Sequence, residues 1–227
     1  MSAEHIIWDW NGTLFADGEA LIDSTIDAFT HAGLGAITRE AYQLHHRQPI
    51  PEFYEQLVGR RLTRVEQGLL DKSFQAAYLG RRERIELTED AVKALETWRD
   101  ANGSQSLLSM HPHDRLMPLV KKFDIGDFFV RVDGLVGTEF ARKAPHLQRH
   151  LDHIGVPADR VLLVGDSVDD ARAAMACGVS CVLYHAGPNA LHALDHFVAL
   201  GVPVVKGLLE AVSMVLDGSE QFVIATD

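Results

Sequence analysis

Residues 6–14 constrain the fold of this chain more than any other stretch, because an apolar run stops there at a carboxylate. The run leads into Asp9, and Asn11, Gly12 and Thr13 then form a tight-turn sequence before a helical pattern begins. In open α/β sheets, ligands bind at the carboxyl ends of the strands. Gly12 allows a tight turn against a ligand, and the Thr13 hydroxyl can bind a phosphate oxygen or cap the turn. The stretch therefore predicts a buried first strand that presents Asp9 to a ligand.

The composition limits the classes of partner and compartment. The 227 residues suit one α/β core with a small inserted module. A net charge of -11 argues against nucleic acid or an anionic membrane as a partner. Cys177 and Cys181 form neither a disulfide framework nor a zinc site, which favours a reducing cytosol. The first strand leaves no room for a signal peptide, so we expect a cytoplasmic protein. We also expect a monomer or a homodimer.

Hydrophobic periodicity divides the chain into a helical stretch and an α/β stretch. From residue 16 to residue 86 the apolar spacing is helical, with a capping box at Thr63 and Glu66. After Thr88, helices alternate with apolar runs, which predicts a parallel sheet covered by helices on both faces. The later predicted strands are residues 106–109, 128–132, 161–165, 179–184 and 204–205.

Polar residues stand at the ends of three predicted strands. These are Asp9, Ser109 and Asp166, and Lys143 lies in a loop before a helix. Asp9 and Asp166 could hold Mg²⁺, which typically binds one or two carboxylates, waters and substrate phosphate. Asp9 could also attack phosphorus as a nucleophile. Ser109 and Lys143 could bind the oxygens of the transferring group and offset their charge.

These segments resemble, in order and spacing, the four motifs of the haloacid dehalogenase-like hydrolase superfamily. The segments are residues 9–13, Ser109, Lys143 and residues 165–170. The Ala-rich helix ending at Gly178 is similar to that of the phosphoglycolate-phosphatase-like branch. The resemblance implies a Rossmann-like catalytic core made of residues 1–15 and 87–227. It also implies a helical cap domain made of residues 16–86.

The same resemblance implies a role for each matching residue. Asp9 would be the nucleophile that forms an aspartyl-phosphate. Mg²⁺ would be held by Asp9, the backbone carbonyl of Asn11 and Asp166. The phosphoryl group would be bound by Ser109 and Lys143, beside Gly12 and Thr13. Asp170 would support Lys143 and the waters of the metal. The implied activity is Mg²⁺-dependent hydrolysis of a small phosphorylated metabolite.

Two positions depart from the family pattern. Phosphatases of this family usually carry a second Asp two residues after the nucleophile, as the acid that protonates the leaving group. This chain has Asn11, whose amide cannot deliver a proton, and such proton transfer is typically worth ~10²–10⁴-fold. The third motif often reads Lys-Pro, whereas here Ala144 separates Lys143 from Pro145. We favour Lys143 as the motif residue, with the adjacent Arg142 as the alternative.

Several histidines carry two interpretations. His111 and His113 follow Ser109 closely, and we expect them to be exposed or to cap the next helix. The alternative is that one of them replaces the missing acid, since histidine transfers protons near neutral pH. His146, His150 and His153 share a helix face at metal-like spacing, and we expect a solvated face there. In the cap, an anionic substrate could be reached by His45, His46, Arg47, Arg60 and Arg61, or these residues could form a polar surface.

Three other functions compete with the phosphatase prediction. Phosphonoacetaldehyde-hydrolase-like C–P cleavage also lacks the second Asp, but it needs a Schiff-base lysine in the cap, where Lys72 is the only lysine. A haloacid dehalogenase needs no metal and lacks the acidic pattern at Asp166 and Asp170. A weakly active phosphate-binding regulatory protein would keep the site but turn over slowly because of Asn11.

Overall fold

The computed structural model describes residues 3–47, 49–137 and 142–218 and centres on a six-stranded parallel sheet. The strand order is β3-β2-β1-β4-β5-β6. The bounds are β1 His5–Trp8, β2 Ser104–Pro112, β3 Val132–Leu135, β4 Val161–Gly165, β5 Ser180–Tyr184 and β6 Val204–Val205. The order reverses between β1 and β4, which is where ligands bind in doubly wound sheets. The predicted α/β fold with a Rossmann-like sheet is confirmed.

The segment of residues 16–86, which we call the helical insertion, contains four helices in its described part. They are α1 Gly18–His31, α2 Arg39–His45, α3 Ile50–Val58 and α4 Arg64–Arg82. The capping box at Thr63 and Glu66 forms as predicted, and α4 continues from it to Arg82. The insertion has its own apolar cluster, which includes Ile22, Phe29, Phe53 and Leu70.

Six further helices in the described residues cover the two faces of the sheet. They are α5 Ala91–Asp100, α6 His113–Lys122, α7 Lys143–Ile154, α8 Val168–Cys177, α9 Leu194–Val198 and α10 Leu208–Leu216. β1 and β4 are buried along their whole length, because helices pack on both sides of them. Within the described part of the chain, no helix is both long and apolar enough to span a bilayer.

The prediction for the third strand was wrong in position. Residues 126–128 form a 3₁₀ turn, and β3 begins only at Val132. Phe128 and Phe129 gave the predicted stretch its strand-like composition. In the structure their side chains pack half-buried against the sheet's core cluster instead of lying in a strand. The second strand is longer than predicted and includes the polar residues that follow Ser109.

The helical insertion contacts the core at its root and at a second place. At the root, Phe15 pairs with Leu87 in an antiparallel bridge. The second contact is between α2 and residues 187–193, which follow β5. There the Gln43 side chain donates to the Ala190 carbonyl at 2.8 Å, and the rings of His46 and His192 lie 4.8 Å apart, centroid to centroid. The insertion therefore lies against the carboxyl edge of the sheet.

A series of buried hydrogen bonds links β1 to β2, α7 and β3. His5 bonds Ser106 at 2.7 Å, Ser106 bonds His150 at 2.7 Å, and His150 bonds Asp133 at 2.7 Å. Because a carboxylate only accepts, His150 donates through Nδ1, and its Nε2 accepts from Ser106. The expectation of a solvated histidine face was wrong for His150, which is fully buried on α7. Sequence periodicity did not reveal that His150 has hydrogen-bond partners on β2 and β3.

This chain of contacts makes stability depend on pH. Burial lowers the pKa of His5 from 6.5 to about 4, so the folded protein holds His5 neutral. Its contribution to stability is complete above pH 6.5 and is lost as the pH falls towards 4. We expect the free energy of unfolding to fall by about 2 kcal/mol between pH 7.5 and 5 from His5 alone. Denaturant titrations at several pH values should show a shallower slope for His5→Asn.

The exposed His31 supplies the control, since His31→Asn should keep the native pH profile. Parallel profiles for His5→Asn and the native protein would contradict the assignment.

Candidate active site

The two predicted acidic strand ends meet at the point where the strand order reverses. Asp9 follows β1, and Asp166 follows the neighbouring strand β4. The backbone N–H of Asp9 donates to the Val164 carbonyl at 2.9 Å, which continues the pairing of the two strands by one residue. Both side chains are buried. The sheet therefore brings together two carboxylates that are more than 150 residues apart in sequence.

Gly12 allows Asp166 to approach the turn after β1. Its φ of 72° lies in the left-handed region, which favours glycine. A Cβ atom at this position would overlap the Asp166 carboxylate. Any other residue would therefore strain the backbone and displace a candidate ligand. The Thr13 hydroxyl lies in the same turn, is buried and has no hydrogen-bond partner in the structure, so it remains available to a ligand.

Asp9, Asp166 and Asp170 form a compact acidic cluster. One oxygen of each carboxylate lies within 4.8 Å of the others. Burial, followed by the Asp9 and Asp170 charges, raises the pKa of Asp166 well above its ordinary value. Burial likewise raises the pKa of Asp9, partly offset by Lys143. The described residues of the cluster set three buried carboxylates against one buried ammonium group, which contacts two of them.

Lys143 lies between two of these carboxylates. Its Nζ donates to Asp9 Oδ1 and to Asp170 Oδ1, and the side chain is 3% exposed. Burial alone would lower the pKa of Lys143, but Asp170 and Asp9 raise it above its ordinary value, so the ammonium stays charged. The adjacent Arg142 is exposed. This geometry favours Lys143 over Arg142 as the residue of the third motif.

The first turn of α8 fixes the orientation of Asp170. Asp170 Oδ2 accepts from the Ser167 backbone N–H at 3.0 Å and from the Ser167 hydroxyl at 2.6 Å. The Ser167 hydroxyl oxygen in turn caps the Asp170 N–H at 3.2 Å. With Oδ2 held in this capping box, Oδ1 is directed at Lys143. Asp169 Oδ2 also accepts from the Lys143 N–H at 3.1 Å and so anchors the start of α7.

Asn11 contacts Asp17, a residue that the sequence analysis did not single out. The Asn11 amide nitrogen donates to Asp17 Oδ2 at 2.5 Å, and the Gly12 N–H donates to Asp17 Oδ1 at 2.8 Å. Tyr78 on α4 donates its hydroxyl to Oδ2 at 3.1 Å. Burial raises the pKa of Asp17 to about 6. Asp17 directly precedes α1, where an aspartate is commonly a helix cap, so no local sequence signal points to this contact.

Ser109 lies in β2 beside the turn that carries Asp9, since Leu107 pairs with Trp8. It is buried, and its hydroxyl oxygen accepts from the His111 N–H at 3.0 Å. His111 is half-buried, with Nε2 enclosed and without a partner. His113 Nδ1 accepts from the Gly134 N–H at 3.1 Å, which gives His113 a structural contact with β3. Of the two histidines, only His111 stays a candidate for proton transfer.

Of the two interpretations of the basic cap residues, most of their positions favour a polar surface. Arg60 forms an exposed ion pair with Glu66 at 2.7 Å, and Arg61 and Arg47 are exposed. His46 packs against His192, in the contact between the helical insertion and the core. Lys72 is exposed on α4. A Schiff-base lysine needs a buried position at the reacting carbon, so this geometry counts against C–P cleavage.

Comparison with known proteins agrees with this geometry. The model of the haloacid dehalogenase-like hydrolase family matches residues 6–184. A phosphoglycolate phosphatase of Pseudomonas savastanoi pv. phaseolicola is 33% identical over 129 residues, which are 55% of this chain and 46% of that protein. A phosphoglycolate phosphatase of Yersinia pseudotuberculosis is 31% identical over 132 residues, covering 51% of this chain and 56% of that protein. The matched stretches thus span about half the length of these phosphatases.

Solved structures share the whole fold. A conserved haloacid dehalogenase-like protein from Agrobacterium tumefaciens str. C58 superposes with a TM-score of 0.78 at 22% identity, over 96% of this chain and 100% of that chain. A haloacid dehalogenase-like hydrolase from Streptococcus pneumoniae superposes with a TM-score of 0.76 at 14% identity, over 93% of this chain and 97% of that chain. With a family model that matches most of its length, this chain belongs to the haloacid dehalogenase-like hydrolase family.

Proposed function

We propose that this protein is a Mg²⁺-dependent phosphatase that acts on a small phosphorylated metabolite through a phosphorylated Asp9. The observation that carries the proposal is the buried contact of Lys143 with both Asp9 and Asp170, beside Asp166. A buried ammonium group held at a carboxylate nucleophile can bind the oxygens of a phosphoryl group and offset their charge. The similarity to phosphoglycolate phosphatases supports the same chemistry.

The proposed reaction has two displacement steps at phosphorus. In the first, an Asp9 oxygen bonds to phosphorus while the bond from phosphorus to the leaving-group oxygen breaks, and that oxygen keeps the electron pair. In the second, water attacks the phosphorus and the Asp9 carboxylate leaves, which releases inorganic phosphate. Lys143 and Ser109 hold the phosphoryl oxygens during both steps, because the transferring group needs mainly positioning and charge stabilisation.

The carboxylate cluster suits a magnesium ion. Asp9 and Asp166 supply hard oxygen donors, as Mg²⁺ prefers. Burial raises the pKa of both carboxyl groups, and a bound cation would favour their ionised forms. In the family arrangement the Asn11 backbone carbonyl would complete the protein ligands. When bound, the ion would offset the charge of the phosphoryl oxygens.

Asp166→Asn should weaken Mg²⁺ binding at least tenfold, because it removes one of few carboxylate ligands. Titration calorimetry of the native protein and the variant measures this without any substrate. Asp159→Asn, on the exposed surface of the same core, is the control and should bind Mg²⁺ as the native protein does. Unchanged Mg²⁺ affinity in Asp166→Asn would remove Asp166 from the metal site.

Asn11 bears on which substrates the protein prefers, because it lies where the leaving group would depart. Asn11 lies two residues after the nucleophile, where its amide can donate a hydrogen bond but no proton. Substrates with acidic leaving groups, such as acyl and aryl phosphates, should therefore react faster than alkyl phosphates. The relatives are named phosphoglycolate phosphatases, so 2-phosphoglycolate belongs first among the alkyl substrates.

The test is phosphate release from a panel of acyl, aryl and alkyl phosphates, with Mg²⁺ and with EDTA. Mg²⁺-dependent release with phosphate trapped on Asp9 would support the proposal. Uniform inactivity, together with tight binding of phosphate and Mg²⁺, would overturn it and favour a regulatory phosphate-binding protein.

We further propose that the helical insertion (residues 16–86) is a cap that opens and closes. The site residues Asp9, Lys143 and Asp166 are buried, so a substrate needs an opening to reach them, and we propose that the contact between α2 and residues 187–193 opens. Gly18 packs so closely on the Asn189 carbonyl that a Cβ atom would overlap it. The two chain segments that pair at Phe15 and Leu87 would serve as the hinge.

Hydrogen exchange should reveal this motion as faster exchange in α2 and residues 187–193 of the free protein. Adding Mg²⁺ with a phosphate analogue should slow exchange there and leave β4 unchanged. Gly18→Ala should reproduce the fast exchange even with the analogue present, because the added methyl group obstructs closure. Equal protection with and without the analogue would contradict the gating proposal.

A further inference from the structure

The side chain of Asp17 does not do what its position in sequence suggests. Asp17 precedes α1, where an aspartate usually accepts from the first N–H groups of the helix. Its side chain makes no capping hydrogen bond in this structure. It is fully buried and instead accepts from Asn11, Gly12 and Tyr78. A buried carboxylate is costly, so these three donors are what holds it in place.

The contact with Asp17 fixes the orientation of the Asn11 amide. A carboxylate only accepts hydrogen bonds, so the nitrogen of the amide, and not its oxygen, must face Asp17 Oδ2. The amide nitrogen has a second N–H, which this contact leaves for another acceptor. A charged acceptor on one N–H also polarises the amide and strengthens the other N–H as a donor.

Tyr78 links Asp17 to α4, the last helix of the helical insertion. Its hydroxyl donates to the same Asp17 oxygen that accepts from Asn11. Tyr78 lies on α4, and its ring stacks on Phe74 of the same helix at 5.7 Å. The orientation of Asn11 is thus tied to the position of α4, the last helix before the chain returns to the core.

We propose that Asp17 is a positioning residue that orients and polarises the Asn11 amide, so that Asn11 donates a hydrogen bond to the leaving-group oxygen. This inference rests on the proposed phosphatase function. It assigns to Asp17 the part of leaving-group stabilisation that an amide can supply without transferring a proton. Asp17 and Tyr78 both lie in the insertion, whereas Asn11 and Gly12 lie in the core, so the amide is oriented when the insertion lies against the core.

The test compares leaving groups in single-turnover experiments that measure phosphorylation of Asp9. Asp17→Asn keeps the shape of the side chain but removes the charge that fixes the amide. We expect it to lower the rate on an alkyl phosphate at least tenfold more than the rate on p-nitrophenyl phosphate. The reason is that the alkoxide needs the hydrogen bond most. Tyr78→Phe should show a smaller difference of the same sign.

Two controls separate positioning from a general loss of structure. In an Asn11→Ala background, Asp17→Asn should have no further selective effect, because the amide that it orients is gone. Tyr54→Phe removes a hydroxyl on α3 that is not among the three donors to Asp17, and it should leave the ratio of the two rates unchanged.

The possible results discriminate between the two proposals. Equal losses on both substrates, or additive effects of Asn11→Ala and Asp17→Asn, would overturn the positioning role while leaving the phosphatase function intact. Failure of the native protein to phosphorylate Asp9 from any substrate would overturn the phosphatase function, and this inference with it.

Discussion

Asp9→Asn is expected to lower turnover by about 10⁴-fold or more and to abolish the phosphoenzyme, because the amide cannot attack phosphorus. The substitution keeps the size of the side chain and one of its oxygens. Acid-quenched reactions with a labelled aryl phosphate measure the phosphoenzyme, and peptide mapping locates the label. Label on any residue other than Asp9 would contradict the proposed nucleophile.

The same variant should be at least as stable as the native protein when Mg²⁺ is absent. The cluster holds three buried carboxylates against one ammonium group, and burial raises the pKa of Asp9. Replacing Asp9 with a neutral amide removes a charge that the fold disfavours, as happens at sites where function is kept at the expense of stability. A melting temperature well below that of the native protein would mean that lost activity reflects damage to the fold.

Asn11→Asp is expected to raise turnover on alkyl phosphates by ~10²-fold or more, by supplying the missing general acid. The introduced carboxyl would lie where the Asn11 amide now contacts Asp17, at 2.5 Å. Two carboxyl groups this close cannot both ionise, so the pair keeps one proton and the pKa of one member is raised. A carboxyl group that is protonated near neutral pH is suited to donate to an alkoxide.

The rate of Asp9 phosphorylation by p-nitrophenyl phosphate should rise much less in this variant, since nitrophenolate leaves without a proton. The double variant Asn11→Asp with Asp17→Asn is the matched control, because it keeps the acid but removes the neighbouring charge. Its activity should peak at lower pH than that of Asn11→Asp. Equal alkyl phosphatase activity in the native protein and Asn11→Asp would show that another group is the acid, and His111→Ala would then be tested.

Local sequence was sufficient to predict the strands and helices that carry the central residues. Apolar runs that end in a carboxylate predicted both β1 and β4, since strands buried on both faces have continuous apolar sequences. The motif spacing then named the residues that the structure brings together: Asp9, Asp166, Asp170 and Lys143. Each of these residues lies directly beside a strong local signal, such as a strand end or a helix start.

Contacts made across the fold were not predictable in this way. Asp17 and Tyr78 are 61 residues apart and meet only because α4 returns to the base of the insertion. His150 is buried because Ser106 and Asp133 lie on strands that a helical pattern does not reveal. A polar residue whose partners are distant in sequence has the same local pattern as a solvated one, so periodicity assigned it to the surface.

The hydrogen bond from the Gly12 N–H to Asp17 affects how readily Asn11 deamidates as the protein ages. An Asn-Gly pair deamidates when the glycine nitrogen attacks the asparagine side chain, and the product carries a carboxyl group. Here the Gly12 N–H is held by Asp17 Oδ1 at 2.8 Å and by the Phe15 carbonyl at 2.9 Å, inside a buried turn. The folded chain therefore keeps the attacking nitrogen away from the Asn11 amide. The unfolded chain lacks that protection. Protein that has spent time unfolded before refolding would therefore contain molecules whose residue 11 is an acid.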